Sequence, residues 1–281
     1  GGKAFVAKLP LFMSLHGVGF DHTVWQLLAR WFAHRGAAVL APDLPGHGLS
    51  GGAPLKSIDE MADWTAALIE AAGAKQARIF GHSMGSVIAL ETASRHPSKV
   101  TALALICTAA EMRVSQALLD AAKADDHAAI DMMNLWGHGH HASLGGSLAP
   151  GSWMLGGGEK VLERAAAGLI YADLAACNAY ADALASAAKV KVPVTFVLGE
   201  REGGDRCAGE RGDGGEDRHG DRQPAQGVRA PSAEDRFEPR RGDGVSGRAH
   251  GHAHGRRAHA DERTAGRGAG GRAAFGAEAL R

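Results

Sequence analysis

The feature that most limits what this 281-residue chain can fold into is a break in its composition near residue 200. Residues 201–281 hold 18 Gly, 16 Arg and 14 Ala, but only five Ile, Leu, Val, Phe, Met, Trp and Tyr together. So few large apolar side chains cannot offset the entropy lost in ordering a backbone, and no core is expected there. The choice of basic residue changes at the same place: nine Lys and six Arg precede residue 201, and no Lys follows it. Any folded body must therefore come from the first 200 residues. The remainder is expected to be a disordered tail, or the product of a shifted reading frame.

Composition narrows the class. Apolar residues are 45% and charged residues 22%, as in soluble globular proteins, and 31 Lys+Arg against 31 Asp+Glu leave no net field to attract nucleic acid or a membrane surface. No apolar run reaches the roughly 18 residues of a spanning helix, and no secretory leader pattern opens the chain. It starts at Gly1 rather than Met, so an upstream piece is expected to be missing. Cys107, Cys177 and Cys207 are far apart with no CxxC spacing, which argues against a disulfide framework or a zinc site and fits a reducing, cytoplasmic compartment.

From residue 10 to residue 200 short apolar runs alternate with longer amphipathic ones, the signature of βα units and a doubly wound, mostly parallel sheet. Strands are predicted at residues 11–15, 37–41, 77–80, 101–106 and 192–198, rich in Val, Leu, Ile and Phe as strands buried on both faces are. The clearest helix starts after Ser57, with Glu60 completing a capping box, Met61, Trp64, Leu68 and Ile69 on one face, and Gly73 to end it. About 85 residues separate the fourth strand from the fifth, too many for a simple crossover. This interval reads as an inserted helical cap with helices in 115–123 and 160–188 and a Gly-rich loop over 137–158 between them. The expected organisation is a core over 1–110, a cap over 111–190, a returning core strand over 191–200 and the tail over 201–281.

Between the third strand and its helix stands Gly81-His82-Ser83-Met84-Gly85, a G-x-S-x-G sequence. Alone it is weak evidence, but an apolar strand runs into it and a helix-compatible stretch leaves it, which is the context the motif requires. The tight turn holds the hydroxyl of Ser83 in the open, and the Met84 N–H at the helix start can face a developing oxyanion. The first strand ends in Leu15-His16-Gly17-Val18-Gly19-Phe20-Asp21, a glycine-bearing loop suited to supply a second N–H. The second is followed by Pro42-Asp43-Leu44-Pro45-Gly46-His47-Gly48-Leu49-Ser50.

Together these three elements resemble the α/β-hydrolase family, in which H-G-x-x, D-x-P-G-x-G-x-S and G-x-S-x-G recur in this order, and the resemblance spans roughly residues 10–200. It implies Ser83 as nucleophile, Val18 and Met84 as oxyanion-hole N–H donors, the long insert as the cap shaping the acyl pocket, and no cofactor or metal. Ser rather than Asp at this position argues against the dehalogenase and epoxide-hydrolase branches. The implied activity is that of a serine esterase on a small ester-like substrate; lactonase, amidase, haloperoxidase and carbon–carbon hydrolase chemistry share the same core. The alternative, from another class, is a non-catalytic binding protein or inactive enzyme of this fold.

The pattern stops where the family would supply its acid and histidine. Glu202 and Asp205 follow the last predicted strand, and His250, His252, His254 and His259 stand in Gly/Ala/Arg surroundings with no rigid seat for a base. Read one base later, the codons of residues 244–250 permit Val, an aromatic or Ser or Cys, Pro, Gly, Gly, His and Met, close to the P-G-x-G-H-M that surrounds the family's histidine. The expectation is a frame shift with the authentic His encoded across Ala249. Taken literally, the tail would be an Arg/Gly segment of the kind that touches RNA, yet its 16 Arg face 14 Asp+Glu with two Phe for stacking. Lesser signals are read as structural. His138, His140 and His141 lack metal-ligand spacing, Gly156-Gly157-Gly158-Glu159-Lys160 is no phosphate loop, and Cys107 is a small core hydrophobe. Trp136, Trp153 and Met154 could line the pocket or simply pack.

Overall fold

Strand β1 (Leu11–Leu15) buries Leu11, Met13 and Leu15 at 3% exposure or less, and Phe12 turns to the other face of the sheet. There Phe12 stacks on Phe32 of helix α1 (Gln26–His34) at 4.3 Å between ring centroids, with Phe80 5.1 Å from Phe32. β2 (Ala38–Leu40) follows, then α2 (Ile58–Ala71), β3 (Ala77–His82), α3 (Met84–Arg95) and β4 (Val100–Ile106). After β4 come α4 (Gln116–Lys123), α5 (His127–Trp136), α6 (Met154–Leu162), α7 (Leu169–Ala179) and α8 (Ala183–Lys189), and the chain returns to the sheet as β5 (Val194–Val197). The computed structural model describes residues 5–6, 8–139 and 153–199, all within one compact unit. The tail over 201–281 and residues 140–152 of the predicted loop lie outside the described residues.

The five strands are parallel in the order β2-β1-β3-β4-β5. The chain winds outward from β1 to β2, crosses back past β1 to β3, and then proceeds to β4 and β5. Right-handed crossovers put helices of the two directions on opposite faces, so this is the α/β doubly wound architecture the sequence predicts. The chain direction reverses between the neighbouring strands β1 and β3, whose carboxyl ends are the switch point where sheets of this kind bind ligands.

Helix α2 begins as the sequence predicts: the Ser57 hydroxyl accepts from the Glu60 N–H at 3.2 Å. Glu60 reaches back one residue further than a capping box requires, accepting from the Lys56 N–H at 2.8 Å. The helix ends in a Schellman turn, with Gly73 at φ +73° and the Ala74 N–H donating to the Ile69 carbonyl.

The glycine-rich reading of residues 137–158 needs correction, because Gly156, Gly157 and Gly158 lie inside α6. A β-carbon on Gly156 would run into the Trp153 ring, and one on Gly158 would press on Asn134 of α5. Close packing of α6 here outweighs glycine's poor helix propensity. Trp153 and Met154 are 68% and 49% exposed, whereas Trp136 is partly buried against the core. Cys107 is only half-buried, with φ +53°, and so is not the core hydrophobe its position after β4 suggests. The outer edge of β5 pairs with no strand among the described residues, and Phe196, Val197 and Leu198 are each at least half exposed. No described helix is long and apolar enough to cross a membrane.

Candidate active site

Ser83 stands between β3 and α3 with φ 53° and ψ −121°, in backbone space that L residues rarely occupy. Two glycines make that turn possible. A β-carbon on Gly81 would collide with the Gly85 carbonyl, and one on Gly85 with the Leu15 carbonyl of β1, so strand and helix touch backbone to backbone. The Ser83 N–H is held by the Ile106 carbonyl at 2.9 Å, and the Ser83 carbonyl accepts the Ser86 N–H and hydroxyl at 2.8 and 2.6 Å. The backbone is thus fixed on both sides, while the half-buried side chain makes no hydrogen bond among the described residues.

The loop after β1 closes against this turn. A β-carbon on Gly17 would lie 3.3 Å from the Ser83 Cβ. The Phe20 N–H returns to the Gly17 carbonyl at 3.2 Å, and Gly19 adopts φ +65°. Val18 is 8% exposed and Met84 fully buried. The parallel register that opposes Leu15 to Gly81 sets these two segments side by side. Met84 directly follows Ser83, and Val18 directly follows Gly17, the residue packed on the Ser83 turn. His82 is half-buried, its ring 6.5 Å from that of Phe20.

Behind the loop lies a buried polar cluster that the sequence did not reveal. His47 Nε2 lies 2.8 Å from Asp173 Oδ2, with side chains 2% and 0% exposed, and the same oxygen accepts the Gly19 N–H at 2.9 Å. His47 Nδ1 faces the Pro45 carbonyl at 3.2 Å, so both ring nitrogens face acceptors, an arrangement that favours the protonated ring. Burial opposes that charge, but the Asp173 carboxylate more than compensates and holds the His47 pKa above its usual value. His16, 4.7 Å away between ring centroids, is the reverse case. Its Nδ1–H donates to the Gly17 carbonyl at 2.9 Å and its Nε2 accepts the Leu44 N–H at 3.1 Å. Burial first, and the His47 charge second, push its pKa down to about 4, so it is neutral.

Asp43, after β2, ties the next loop down. It accepts the His22 N–H at 2.6 Å, the Leu49 N–H at 2.8 Å and the His22 ring at 2.8 Å. Burial works against its ionisation, yet these donors keep its pKa below the ordinary carboxylate range. One signal of the cluster is local: Asp173 is an acid inside the apolar helical run 169–177 with no basic neighbour, which calls for a distant buried partner.

Among the described residues, two groups have the residue types of a metal centre. Asp21, His22 and Asp43 converge, but Arg164 holds Asp21 at 2.7 Å and the donors above occupy Asp43. His127, Glu159 and Glu163 converge on the surface, where the Lys160 ammonium already sits 2.6 Å from Glu163. His138 belongs to neither group and bonds the Asn134 carbonyl; His140 and His141 lie outside the described residues. No histidine among the described residues is hydrogen-bonded to the Ser83 hydroxyl. Glu202, Asp205, Cys207, His250, His252, His254 and His259 are also outside the described residues.

Comparisons with known proteins bear on the fold. The chain is 39% identical over 99 residues to a pimeloyl-[acyl-carrier protein] methyl ester esterase of Chromobacterium violaceum, covering 35% of this chain and 37% of that protein. It is 34% identical over 94 residues to a lipase of Mycobacterium tuberculosis, covering 34% of this chain and 35% of the relative. The matches thus span little more than a third of these relatives. Among solved structures, the enol-lactonase of Burkholderia xenovorans LB400 superposes with a TM-score of 0.56 at 20% identity, over 69% of this chain and 74% of that one, which speaks to the fold. A sequence profile described as alpha/beta hydrolase fold matches residues 10–142, the stretch that holds β1 to β4, the Ser83 turn and the Gly17–Gly19 loop. This match, over residues 10–142, and the parallel sheet give the described part of the chain the α/β hydrolase fold.

Proposed function

We propose that this chain is a serine hydrolase that cleaves a carboxylic ester, or a related acyl bond, through an acyl-enzyme on Ser83. The observation that carries the reading is the strained Ser83 backbone at the β3–α3 turn, wedged between Gly81 and Gly85 with its hydroxyl free among the described residues. Strain at one residue persists only where the surroundings over-determine it, and a serine so placed at the carboxyl end of a parallel sheet is presented to a substrate. In the reaction Ser83 Oγ bonds to the acyl carbon, the bond to the leaving alcohol breaks, and the hydroxyl proton passes through a base to that alcohol. Water then reverses the sequence and frees the acid. Val18 and Met84 donate their N–H groups to the oxyanion of each tetrahedral intermediate, where one such donor contributes roughly 3 kcal/mol. The helices between β4 and β5 act as the cap over the acyl group. An ester as substrate is supported by the name of the Chromobacterium relative.

The base and its acid are to be sought after β5, beyond the described residues. A second reading has a specific observation behind it: no described histidine reaches Ser83, as in a binding protein or inactive enzyme that keeps the fold without turnover. A fluorophosphonate probe separates the two, because it forms an Oγ–P bond with loss of fluoride only at an activated serine. Labelling of the full chain at Ser83, lost in Ser83→Ala, is expected for the hydrolase. A folded chain that never labels and turns over no p-nitrophenyl acyl ester would establish the second reading.

A further inference from the structure

We propose that Asp173, on α7, is the positioning residue that fixes the Val18 N–H, so that the insertion between β4 and β5 controls the geometry around Ser83; this rests on the hydrolase reading above. The argument begins with peptide planarity. The Val18 N–H lies in the peptide plane it shares with the Gly17 carbonyl, and the next plane carries the Val18 carbonyl and the Gly19 N–H. The first plane is held through the Gly17 carbonyl, which accepts from the Phe20 N–H at 3.2 Å and from His16 Nδ1–H at 2.9 Å. The second is held by Asp173 Oδ2, 2.9 Å from the Gly19 nitrogen and 154 residues away in sequence. Val18 therefore lies between two pinned planes, and one of the pins belongs to the insertion.

Other side chains of the insertion press on the same loop. Leu162 and Ile170 stand 3.0 Å from where a Gly19 β-carbon would be, and Arg164 holds Asp21 at 2.7 Å. Packing alone does not explain the carboxylate. Asp173 is wholly buried, and its Oδ1 has no partner among the described residues. An apolar side chain would fill that space with less desolvation. What a hydrophobe cannot provide is an acceptor for the Gly19 N–H, with His47 supplying the countercharge on the same oxygen at 2.8 Å.

The test uses the full chain, with substitutions chosen to separate acceptor from charge. Asp173→Ala removes the acceptor; Asp173→Asn keeps an oxygen for the Gly19 N–H and removes the charge. Phosphonylation of Ser83 per folded molecule is expected to slow by about 30-fold or more in Asp173→Ala and by no more than about threefold in Asp173→Asn, at unchanged half-saturating probe. Amide hydrogen exchange at Gly19 is expected to accelerate in the first variant only. Equal rates in all three proteins would overturn the proposal. Equal slowing in both variants with Gly19 still protected would overturn it too, since the charge pair and not the loop would then be at work. A rapidly exchanging Gly19 amide in the unmodified protein refutes it with no variant needed, which covers failure of Asp173→Ala to fold. If the unmodified chain never labels, the hydrolase reading itself has failed. Labelling that is lost in Ser83→Ala but indifferent to Asp173 sinks only the positioning role.

Discussion

At the scale of single residues, Ser83 has a conformation whose cost is separable from its chemistry. Glycine accepts φ near +53° without a side-chain clash, so Ser83→Gly is expected to stabilise the fold by about 1 kcal/mol while abolishing phosphonate labelling. Urea denaturation with an unchanged m-value checks the first part, and an unchanged or lowered midpoint would show that the turn stores no strain. The residue level was also where the sequence was most legible. Gly81, Ser83 and Gly85 are contiguous, and a rule of local sterics connects them directly to a strand–turn–helix. Asp173 was not legible in that way: its partners Gly19 and His47 are 154 and 126 residues away, and no spacing encodes such a meeting.

At the scale of elements, the His47–Asp173 pair couples α7 to the loop after β2, and this contact should respond to pH in a defined direction. His47 has a raised pKa in the fold, so the native state binds more protons than the unfolded chain above its ordinary value near 6.5. That part of the stability is complete below pH ~6.5 and lost as pH rises through the raised value. His16 has a lowered pKa, and there the unfolded chain binds more protons between about 4 and 6.5, so stability is lost as pH falls across that window. A stability maximum near neutral pH is expected in chemical denaturation, with His47→Gln flattening the alkaline side and also making the acid side shallower, because the His47 charge helps to lower the His16 pKa. An alkaline limb that survives in His47→Gln would place the titration elsewhere. Elements with a clean period were read correctly, such as α2 with its Ser57 cap and Gly73 stop. α6 was misread because its glycines answer to the Trp153 ring and to Asn134, which are tertiary neighbours that periodicity cannot see.

At the scale of the molecule, the sheet among the described residues ends at β5, whose outer edge is unpaired there and whose Phe196 is 60% exposed. An open edge with adjacent apolar side chains is a template for another chain. Self-association that grows with concentration is expected in sedimentation velocity, and Phe196→Lys should reduce it by placing a charge at that edge. Indifference to the substitution would show that β5 is not the contact. The architecture itself followed from alternating apolar and amphipathic runs, because βα units are local, whereas closure of the sheet beyond β5 depends on residues whose composition offers no strand. The packing of α7 has one more effect, on sulfur chemistry. Cys177 is 3% exposed, and burial together with the Asp173 charge pushes its thiol pKa far up, so almost no thiolate exists at neutral pH. An alkylating reagent can reach that sulfur only when α7 lifts from the core. Peptide mass mapping of Cys177 alkylation over time would therefore act as a clock for breathing of the insertion, with no residue of the chain replaced.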